Sequence, residues 1–504
     1  MSEKPFHDHE LVAAIDMGSN SFHMAVARVA NGEVRIVERL AEKVQLGAGL
    51  DKNGRLTEEA QQRALDCLNR FNQRIVNLPK GCLRVVGTNA LRVAVDSEPF
   101  LLQAEKILGY PIDVIAGREE ARLIYLGVAH SLSDDEGKRL VLDIGGGSTE
   151  FIIGERFEAQ LTESLEMGCV TFTQRYFQNG KLSNACWDRA VTAAEQELLS
   201  IERSFRAKGW QSAVGASGTV KAIEQVVVAN HWTEEGIDFA SLKKLKNAIL
   251  KFDHIDKLDI PGLRDERKSV FTAGVAILYA SFERLHIQHM NYSDGALREG
   301  VLYDLLGRLD HEDVRDRTIQ ALMARYAVDT LHAQRVEHTA LDALAQAEKA
   351  WGLENPRFRD LLRWAALTHE VGLSIAHSQY HKHGAYILHH SDLAGFSRQD
   401  QIAFAALVRG HRRKISNDIF NDCPKSLRQG LLRCSLLLRI AAVFHHQRRE
   451  NYLPQFKLQV SDSKITLIVA PGWKEQHPLS SADFDQESHY FESVGFDFKV
   501  VEMS

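Results

Sequence analysis

The first quarter of the chain alternates short apolar runs with longer amphipathic stretches. Residues 11–17, 22–29 and 34–40 (LVAAIDM, FHMAVARV and VRIVERL) have the composition of strands, whereas residues 56–75 carry apolar side chains at helical spacing. The later segments LRVVGT and IDVIAG predict two more strands, each followed by a helix. This alternation predicts an α/β fold.

The pattern changes further along the chain. Residues 139–165 predict a strand, a Gly-rich turn and two more strands, while residues 311–450 are almost continuously helical in type and the last fifty residues regain strand character. We therefore predict four domains. Their ranges are 1–125 and 126–308, both α/β, then 309–450, all-helical, and 451–504, small and α+β.

An internal repeat is the most informative pattern. The segment AAIDMGSNSFHMAVA, from Ala13, matches LVLDIGGGSTEFIIG, from Leu140. Each copy has an apolar strand that ends in Asp-x-Gly, then small residues, a Ser and a returning strand, and the paired aspartates are Asp16 and Asp143. The repeat predicts two related α/β lobes that face each other across a cleft.

The composition is that of an ordinary globular protein. Of the 504 residues, 44% are hydrophobic and 25% charged, which excludes a disordered or low-complexity chain. No apolar run reaches the roughly 18 residues of a membrane span, and the start MSEKPFHDHE lacks the apolar core of a signal peptide. The six cysteines show no paired spacing. We therefore expect a cytoplasmic protein with free thiols and no integral membrane segment.

Charge is unevenly distributed along the chain. The 61 Lys and Arg against 67 Asp and Glu give a net charge of −6, so we expect no nucleic-acid partner. Between Arg398 and Arg449, however, eleven Lys or Arg stand against three Asp or Glu, and nine of the 22 histidines lie between His369 and His446. This basic segment predicts a local anion site, with a solvated helix face as the alternative.

The repeated turns have the composition of phosphate-binding loops. Glycine lets the backbone approach a phosphate closely, so that several amides can converge on it. A single Gly-rich turn is often only structural, but two copies indicate a phosphate clamp between the lobes. The predicted phosphate-binding residues are Gly18, Ser19, Asn20 and Ser21 in the first loop and Gly145, Gly146, Gly147 and Ser148 in the second.

Three acids beside these loops predict a metal site. Asp143 and Glu150 bracket the second loop, and Asp16 ends the strand before the first. Mg²⁺ prefers hard oxygen ligands and completes its shell with water and phosphate oxygens. The alternative is that these acids cap turns or remain solvated.

Further candidates follow the predicted strands. Glu119 and Glu120 open a helix, where acids suit the helix dipole but where one of them is also placed to act as a general base. Arg92 follows LRVVGT, and its guanidinium fork fits a phosphate. Gly218 opens a helix whose N-terminus suits an anion, and the turn 293–298 helps to close the second lobe. A packing role is the alternative for both turns.

The helical region contains WAALTHEVGLSIAHSQYHKHGAYILHH, which resembles the metal-binding helices of metal-dependent phosphohydrolases. The usual His-Asp pair is here His369-Glu370, and no downstream Asp is spaced to finish the site. We therefore expect a scaffold without a working second metal centre, whose basic side chains face an anion. The candidates for this anion surface are His369, His381, His383, His411, Arg412, Arg413 and Lys414.

Seven motifs, in order along the chain, resemble those of the exopolyphosphatase/guanosine pentaphosphate phosphohydrolase family. They are AAIDMGSNSFHM, GTNALR, AGREEARLIYLGV, VLDIGGGSTE, EMGCV, GASGT and SDGALREGVLY. The resemblance, which extends to the length of the long bacterial members, implies two actin-like (ribonuclease H-like) lobes, an all-helical HD-like domain and a small α+β C-terminal domain. It also implies a homodimer that uses Mg²⁺ and is stimulated by K⁺.

The same resemblance implies roles for individual residues. Glu120, the second Glu of REEARL, matches the catalytic base; Asp143 and Glu150 match metal-site acids; and the two loops and Arg92 match phosphate-binding groups. The implied reaction is Mg²⁺-assisted in-line attack of water on the terminal phosphate of inorganic polyphosphate, which releases orthophosphate. The basic segment then holds the rest of the chain for processive cleavage, by analogy with the salt-dependent binding of nucleic acids.

The activity has several alternatives. GGGSTE and SDGALREG favour exopolyphosphatase as the main activity, with conversion of guanosine pentaphosphate (pppGpp) to ppGpp as the alternative or as a second activity. A sugar-kinase-like phosphotransferase needs adenosine and acceptor pockets that no motif indicates. A non-catalytic sensor is disfavoured because Glu120, Asp143 and Glu150 are all present. We expect the protein in the cytoplasm, with peripheral association with the membrane in addition.

Overall fold

The computed structural model describes residues 11–30, 33–79, 81–132, 137–309, 313–448 and 455–503. The chain forms two compact units, residues 1–314 and residues 315–504. The first unit is α/β, and the second is mainly helical with a small sheet near its end. This confirms the predicted fold class, while the finer division into four domains stays a prediction.

The first sheet of the α/β unit follows the hydrophobic pattern near the start of the chain. Within the described residues its strands are β1 (Leu11–Met17), β2 (Phe22–Ala30), β3 (Glu33–Glu42), β4 (Leu83–Gly87) and β5 (Ile112–Val114). Their order is β3-β2-β1-β4-β5. The first three strands form an antiparallel meander. Strand β4 pairs in parallel with β1, and β5 pairs in parallel with β4.

The second sheet repeats this topology. Its described strands are β6 (Lys138–Ile144), β7 (Thr149–Glu155), β8 (Glu158–Leu165), β9 (Ser212–Ala216), β10 (Ile237–Asp238) and β11 (His289–Ser293). The order is β8-β7-β6-β9-β11-β10. Again three strands form a meander, and β9 and β11 add in parallel. The two sheets therefore confirm the internal repeat.

The register of the two first hairpins shows how closely the copies correspond. In the first hairpin Asp16 pairs with His23, and in the second Asp143 pairs with Glu150. Each aspartate thus lies at the end of a buried strand. The loop of small residues that follows it leads to the residue that pairs with that aspartate on the next strand. The hairpins place both loops at the same end of equivalent strands.

Helices surround the two sheets. In the described part of the first unit they are α1 (Glu58–Ile75), α2 (Asn89–Val93), α3 (Glu98–Leu108), α4 (Gly117–Ser131), α5 (Cys169–Tyr176), α6 (Asn184–Lys208), α7 (Gly218–Ala229), α8 (Phe239–Ile249), α9 (Lys268–Leu285) and α10 (Leu297–Leu309). The apolar stripe of α1 begins at the Thr57 cap, whose side chain accepts the Ala60 amide. Its buried face includes Leu68 and Phe71, which anchor the helix in the core.

Two glycines let α4 and α10 cross in direct backbone contact. A Cβ at Gly300 would lie 1.8 Å from the Leu123 carbonyl oxygen, and one at Gly127 would lie 2.0 Å from the Ala296 carbonyl oxygen. Any larger residue would push the helices apart. The helix α4, which carries Glu120 and spans the boundary predicted at residue 125, is therefore fixed by close packing against α10.

A buried ion cluster also holds these two helices. The Asp304 carboxylate of α10 accepts hydrogen bonds from Arg84, Arg122 and Arg308. Arg122 of α4 also holds the Glu119 carboxylate through two bonds of 2.8 Å. The three guanidinium groups keep the pKa of Asp304 well below its usual range, although its burial acts in the opposite direction. The opposite charges of the cluster compensate one another.

The second unit is built on one continuous core. Its described helices are α11 (Val314–Arg325), α12 (Thr330–Trp351), α13 (Pro356–Thr368), α14 (Tyr380–His390), α15 (Arg398–Gly410), α16 (Arg428–His445), α17 (Trp473–Gln476) and α18 (Pro478–Glu492). A three-stranded sheet is formed by β12 (Phe456–Val460), β13 (Lys464–Val469) and β14 (Asp497–Glu502), with β13 central. Buried side chains of α16, such as Leu436, share a cluster with Ile465 and Phe498 of this sheet.

None of the described helices is both long and apolar enough to cross a membrane. The buried stretch 431–445 of α16 lies in the core of the second unit, and it contains Arg433 and Arg439.

Candidate functional site

The two repeated loops line one cavity in the first unit. The cavity has a volume of about 370 Å³. It collects most of the site residues predicted from the sequence, which are Asp16, Gly18, Ser19, Asn20, Ser21, Glu120, Asp143, Gly145, Gly146, Gly147, Ser148 and Gly218. Both loops therefore line one cavity, as expected for two related lobes that face each other across a cleft.

The loops approach each other closely, and neighbouring segments hold them. A Cβ at Gly146 would lie 3.1 Å from the Ser19 Cβ, so this glycine allows the close approach. The Gly47 amide donates to the Ser19 carbonyl at 2.8 Å, and the Cys169 amide at the start of α5 donates to the Gly145 carbonyl at 2.9 Å. These bonds engage loop carbonyl oxygens that would otherwise repel an anion.

Glu120 lies in the first turn of α4 and lines the cavity. Its carboxylate Oε2 accepts a hydrogen bond of 3.1 Å from Arg92 Nη1, which also donates to the Ile115 carbonyl at 2.9 Å. Burial raises the pKa of Glu120, and the Arg92 guanidinium opposes this rise. Arg92 therefore binds the Glu120 carboxylate and does not itself line the cavity. Its phosphate-binding role remains a prediction.

Four carboxyl groups form one electrostatic cluster around the cavity. Burial raises the pKa of Asp16 to about 8, with the Glu120 carboxylate adding to the rise. Burial, followed by the charge on Glu120 and on Asp16, raises the pKa of Asp143 well above its usual value. The pKa of Glu150 is raised in the same way, by burial and then by Glu120 and Asp143. Carboxyls that repel one another in a buried site favour a bound cation.

The predicted metal acids fit a magnesium ion in part. Asp16 Oδ1 is buried and finds no hydrogen-bond partner among the described residues, which suits a cation ligand. Asp16, Asp143 and Glu150 do not bring three ligand atoms within 4.8 Å of one another in the described structure. One or two carboxylates with water and phosphate oxygens are, however, the usual ligands of Mg²⁺.

Glu150 is set back from the cavity. It is 1% exposed, and its Oε1 accepts a hydrogen bond of 2.8 Å from Ser164 Oγ. His23, which holds the equivalent position in the first hairpin, does line the cavity and lies 3.3 Å from Arg298 through its Nδ1. The sequence repeat contained this equivalence, because both residues follow their aspartate by the same number of positions.

The N-terminus of α7 opens into the same cavity. Ser217 caps the helix by accepting the Val220 amide, and it has a left-handed φ of 113°. Gly218 comes next, and a Cβ there would lie 2.1 Å from Arg267 Nη2. The positive end of the helix dipole and a guanidinium group thus converge at one place, which is suited to an anion.

Sequence reasoning missed several basic groups of the cavity wall. Arg39, Lys221, Arg267 and Arg298 all line it. Arg39 pairs with Glu299 at 3.2 Å, and Lys221 pairs with Asp294 at 2.7 Å. In the part of the chain that the structure describes, Arg267 has no acidic partner within ion-pair distance. Arg298 lies within the motif SDGALREG and Lys221 lies two residues after GASGT, whereas no motif marks Arg39 or Arg267.

The predicted anion surface of the second unit is divided between two places. His381, Arg412, Arg413 and Lys414 line a cavity of about 740 Å³, to which Lys382 and Arg409 add two further basic groups. His383 is half-buried and lines neither this cavity nor the smaller one beside His411. His369 and His411 are buried, with ring centroids 5.4 Å apart.

The fold of the first unit and the cavity lined by its two repeated loops together define a class of enzymes that act on phosphate groups. Comparison with known proteins gives the same class over nearly the whole chain. The Ppx/GppA phosphatase family matches residues 25–309, and domain III of Ppx/GppA phosphatases matches residues 314–488. The chain belongs to the Ppx/GppA phosphatase family, and it is a hydrolase that acts on phosphoric anhydrides.

Two curated relatives and one solved structure give the similarity in detail. A guanosine-5'-triphosphate,3'-diphosphate pyrophosphatase of Pseudoalteromonas translucida is 41% identical, over 96% of this chain and 97% of its own. The protein of the same name from Photobacterium profundum is 40% identical over 98% of both chains. The structure of the Aquifex aeolicus PPX-GPPA enzyme covers 58% of this chain and 99% of its own, with 27% identity and a TM-score of 0.50. This similarity supports the actin-like lobes that the motifs implied.

Proposed function

We propose that the protein hydrolyses the terminal 5'-phosphate of pppGpp and releases ppGpp and orthophosphate. The observation that carries this proposal is the identity of 41% and 40%, over almost the full length, to two relatives whose names give pppGpp as the substrate. The motifs GGGSTE and SDGALREG led the sequence analysis to prefer exopolyphosphatase. The comparisons reverse that order, because they favour the nucleotide.

The chemistry needs a base, a water and a place for the leaving group. The Glu120 carboxylate takes a proton from water as the water oxygen forms a bond to the terminal phosphorus. The bond between that phosphorus and the bridging oxygen breaks at the same time, and the nucleotide tetraphosphate leaves. Burial raises the pKa of Glu120 and Arg92 opposes this rise, and Arg92 orients the carboxylate by holding one of its oxygens at 3.1 Å.

The loops and basic groups supply the binding. Backbone amides of the loops Gly18–Ser21 and Gly145–Ser148 stabilise the charge on the transferred phosphoryl group. The α7 N-terminus at Gly218 and the nearby Arg267 offer a second anion position, which suits a substrate that carries two phosphate chains on one ribose. Asp16 and Asp143, with Glu150 behind them, would hold Mg²⁺, which supplies charge neutralisation to the phosphate chain when bound.

Polyphosphate is the second candidate substrate. The observation that favours it is the basic cavity of about 740 Å³ in the second unit, lined by Lys382, Arg409, Arg412, Arg413 and Lys414. A polyanion gains most from such a group of cations, and its binding should weaken with salt. Stimulation by K⁺ and a homodimeric state remain parts of the proposal.

The test compares two substrates and one variant. Phosphate release is measured with Mg²⁺ and K⁺ on pppGpp and on long-chain polyphosphate at equal concentrations of terminal phosphate, and we expect faster release from pppGpp. Glu120→Gln should lower kcat by about 10²–10⁴-fold and leave the calorimetric Kd for pppGpp within a few fold. Glu163→Gln, at an acid of β8 that pairs with Arg118 outside the cavity, is the matched control.

Two results would contradict the proposal. Faster release from polyphosphate would return the assignment to exopolyphosphatase. Loss of pppGpp binding together with turnover in Glu120→Gln would show that this carboxylate binds substrate and would remove its assignment as the base.

A further inference from the structure

A cluster of buried histidines lies in the unit of residues 315–504. His332 is in the first turns of α12, His369 and Glu370 directly follow α13, and His411 directly follows α15. All four side chains are less than a tenth exposed. One ligand atom from each of His332, His369 and Glu370 lies within 4.8 Å of the others. Helix α12 and the end of α13 thus bring three metal-ligating groups to one point, and the His411 ring, after α15, has its centroid 5.4 Å from that of His369.

Two of the imidazoles are fixed in the form that a metal requires. His369 Nδ1 lies 2.7 Å from the Ala366 carbonyl oxygen, and His411 Nδ1 lies 2.6 Å from the Val408 carbonyl oxygen. A carbonyl oxygen only accepts, so each Nδ1 must carry the proton and donate it. Each ring then presents the lone pair of its Nε2. Metal-bound histidines are commonly oriented by this kind of bond to a backbone carbonyl.

Some nitrogen atoms of the cluster lack any partner. His332 Nδ1 and His411 Nε2 are buried without a hydrogen bond in the part of the chain that the structure describes. The His332 and His369 rings have centroids 5.6 Å apart, and the His369 and His411 rings 5.4 Å apart. Buried polar atoms without partners are costly and rare in proteins. A bound cation gives such lone pairs a partner.

Glu370 supplies the negative charge of the cluster. Its carboxylate Oε1 lies 3.8 Å from His332 Nε2 and accepts a hydrogen bond from Arg448 Nη2. Arg448 also reaches Asp329, with Nη1 3.2 Å from Oδ2. Because Asp329 offers Arg448 a second carboxylate, a cation can take over the Glu370 oxygen without leaving the guanidinium unpaired.

We propose that His332, His369 and Glu370, with His411 beside them, bind one divalent transition-metal ion of the Zn²⁺ type. Imidazole nitrogens with one carboxylate are the ligands that Zn²⁺ and its neighbours prefer, whereas Mg²⁺ prefers oxygen ligands alone. The site departs from the expectation of a scaffold without a working second metal centre. That expectation considered the missing downstream Asp but not His332, which lies on an earlier helix.

The test uses the full chain, without a tag, stripped of metal by a chelator and kept in excess Mg²⁺. Zn²⁺ bound per chain after dialysis is measured for the wild type, His369→Ala, His332→Ala and the control His338→Ala. His338 is on the same helix as His332 but exposed, and it pairs with Asp342. We expect the wild type and the control to bind one more equivalent than the two ligand variants. Glu370→Gln should weaken binding by about tenfold or more.

A spectroscopic measurement keeps the test independent of whether the variants fold. Co²⁺ added to the wild type in Mg²⁺ should give visible absorption of the intensity typical of four ligands, and Zn²⁺ should abolish it. A wild type that holds no more Zn²⁺ than His369→Ala, or that shows only the weak absorption of hydrated Co²⁺, would overturn the proposal. So would loss of the extra equivalent in His338→Ala.

Discussion

Replacing Asp16 by Asn tests the nature of the carboxyl cluster between the two loops. Asp16 Oδ1 is buried without a hydrogen-bond partner among the described residues, and burial raises the pKa of this group to about 8, helped by the Glu120 carboxylate. Asparagine has nearly the same shape but does not titrate. The variant therefore removes one proton-binding group from the cleft and changes little in its packing.

The size of the effect follows from the pKa. At pH 7, one unit below a pKa of about 8, Asp16 carries about 0.9 proton, and at pH 9 about 0.1 proton. A carboxylate binds Mg²⁺ only when ionised. Binding should therefore release about 0.9 proton from Asp16 at pH 7 and about 0.1 at pH 9. The apparent affinity for Mg²⁺ should therefore rise as the pH increases towards 8, because Asp16 loses its proton over this range. Above that pH the contribution of Asp16 to the affinity should level off.

The assay is titration calorimetry of Mg²⁺ in two buffers that differ in enthalpy of protonation. The slope of heat against that enthalpy gives the protons released per ion. We expect Asp16→Asn to release about 0.9 proton fewer than the wild type at pH 7 and about 0.1 fewer at pH 9. Equal release by the two proteins at pH 7 would refute the reasoning. If the variant binds too weakly, a wild-type affinity that does not change between pH 6.5 and 8 would refute it as well.

Two further predictions concern the support of the site. Arg92→Gln removes the group that opposes the rise in the pKa of Glu120. The acid side of the pH profile of kcat on pppGpp should therefore move to higher pH. A profile that stays in place contradicts the assignment of Glu120 as the base. Asp304→Asn removes the charge that three buried guanidinium groups share and should lower the free energy of unfolding in urea by about 3–5 kcal/mol. Asp66→Asn, at an exposed acid of α1, is its control, and a loss no larger than that of the control contradicts the role of the cluster.

Much of the site could be predicted from the sequence because the chain repeats itself. Asp16 and Asp143 hold equivalent positions in two hairpins of the same local pattern. The repeated pattern therefore predicted that both loops and these two aspartates line one cleft. The position of Glu120 followed from the start of α4. Its bond to Arg92 did not, because that contact joins two strand-to-helix turns that only the parallel pairing of β4 and β5 brings together.

Several features of the sites depend on contacts between segments that are far apart in the sequence, and only the tertiary structure determined them. The amino-acid sequence determined the alternation of strands and helices, the duplicated loops and the family, since these rest on local pattern and on motifs. It did not reveal the cavity contacts of Arg39 and Arg267, the sharing of Asp304 by three arginines, or the approach of His332 to His369. A side chain far away in sequence gains its partner and its shifted pKa only from burial and packing, which no local pattern encodes.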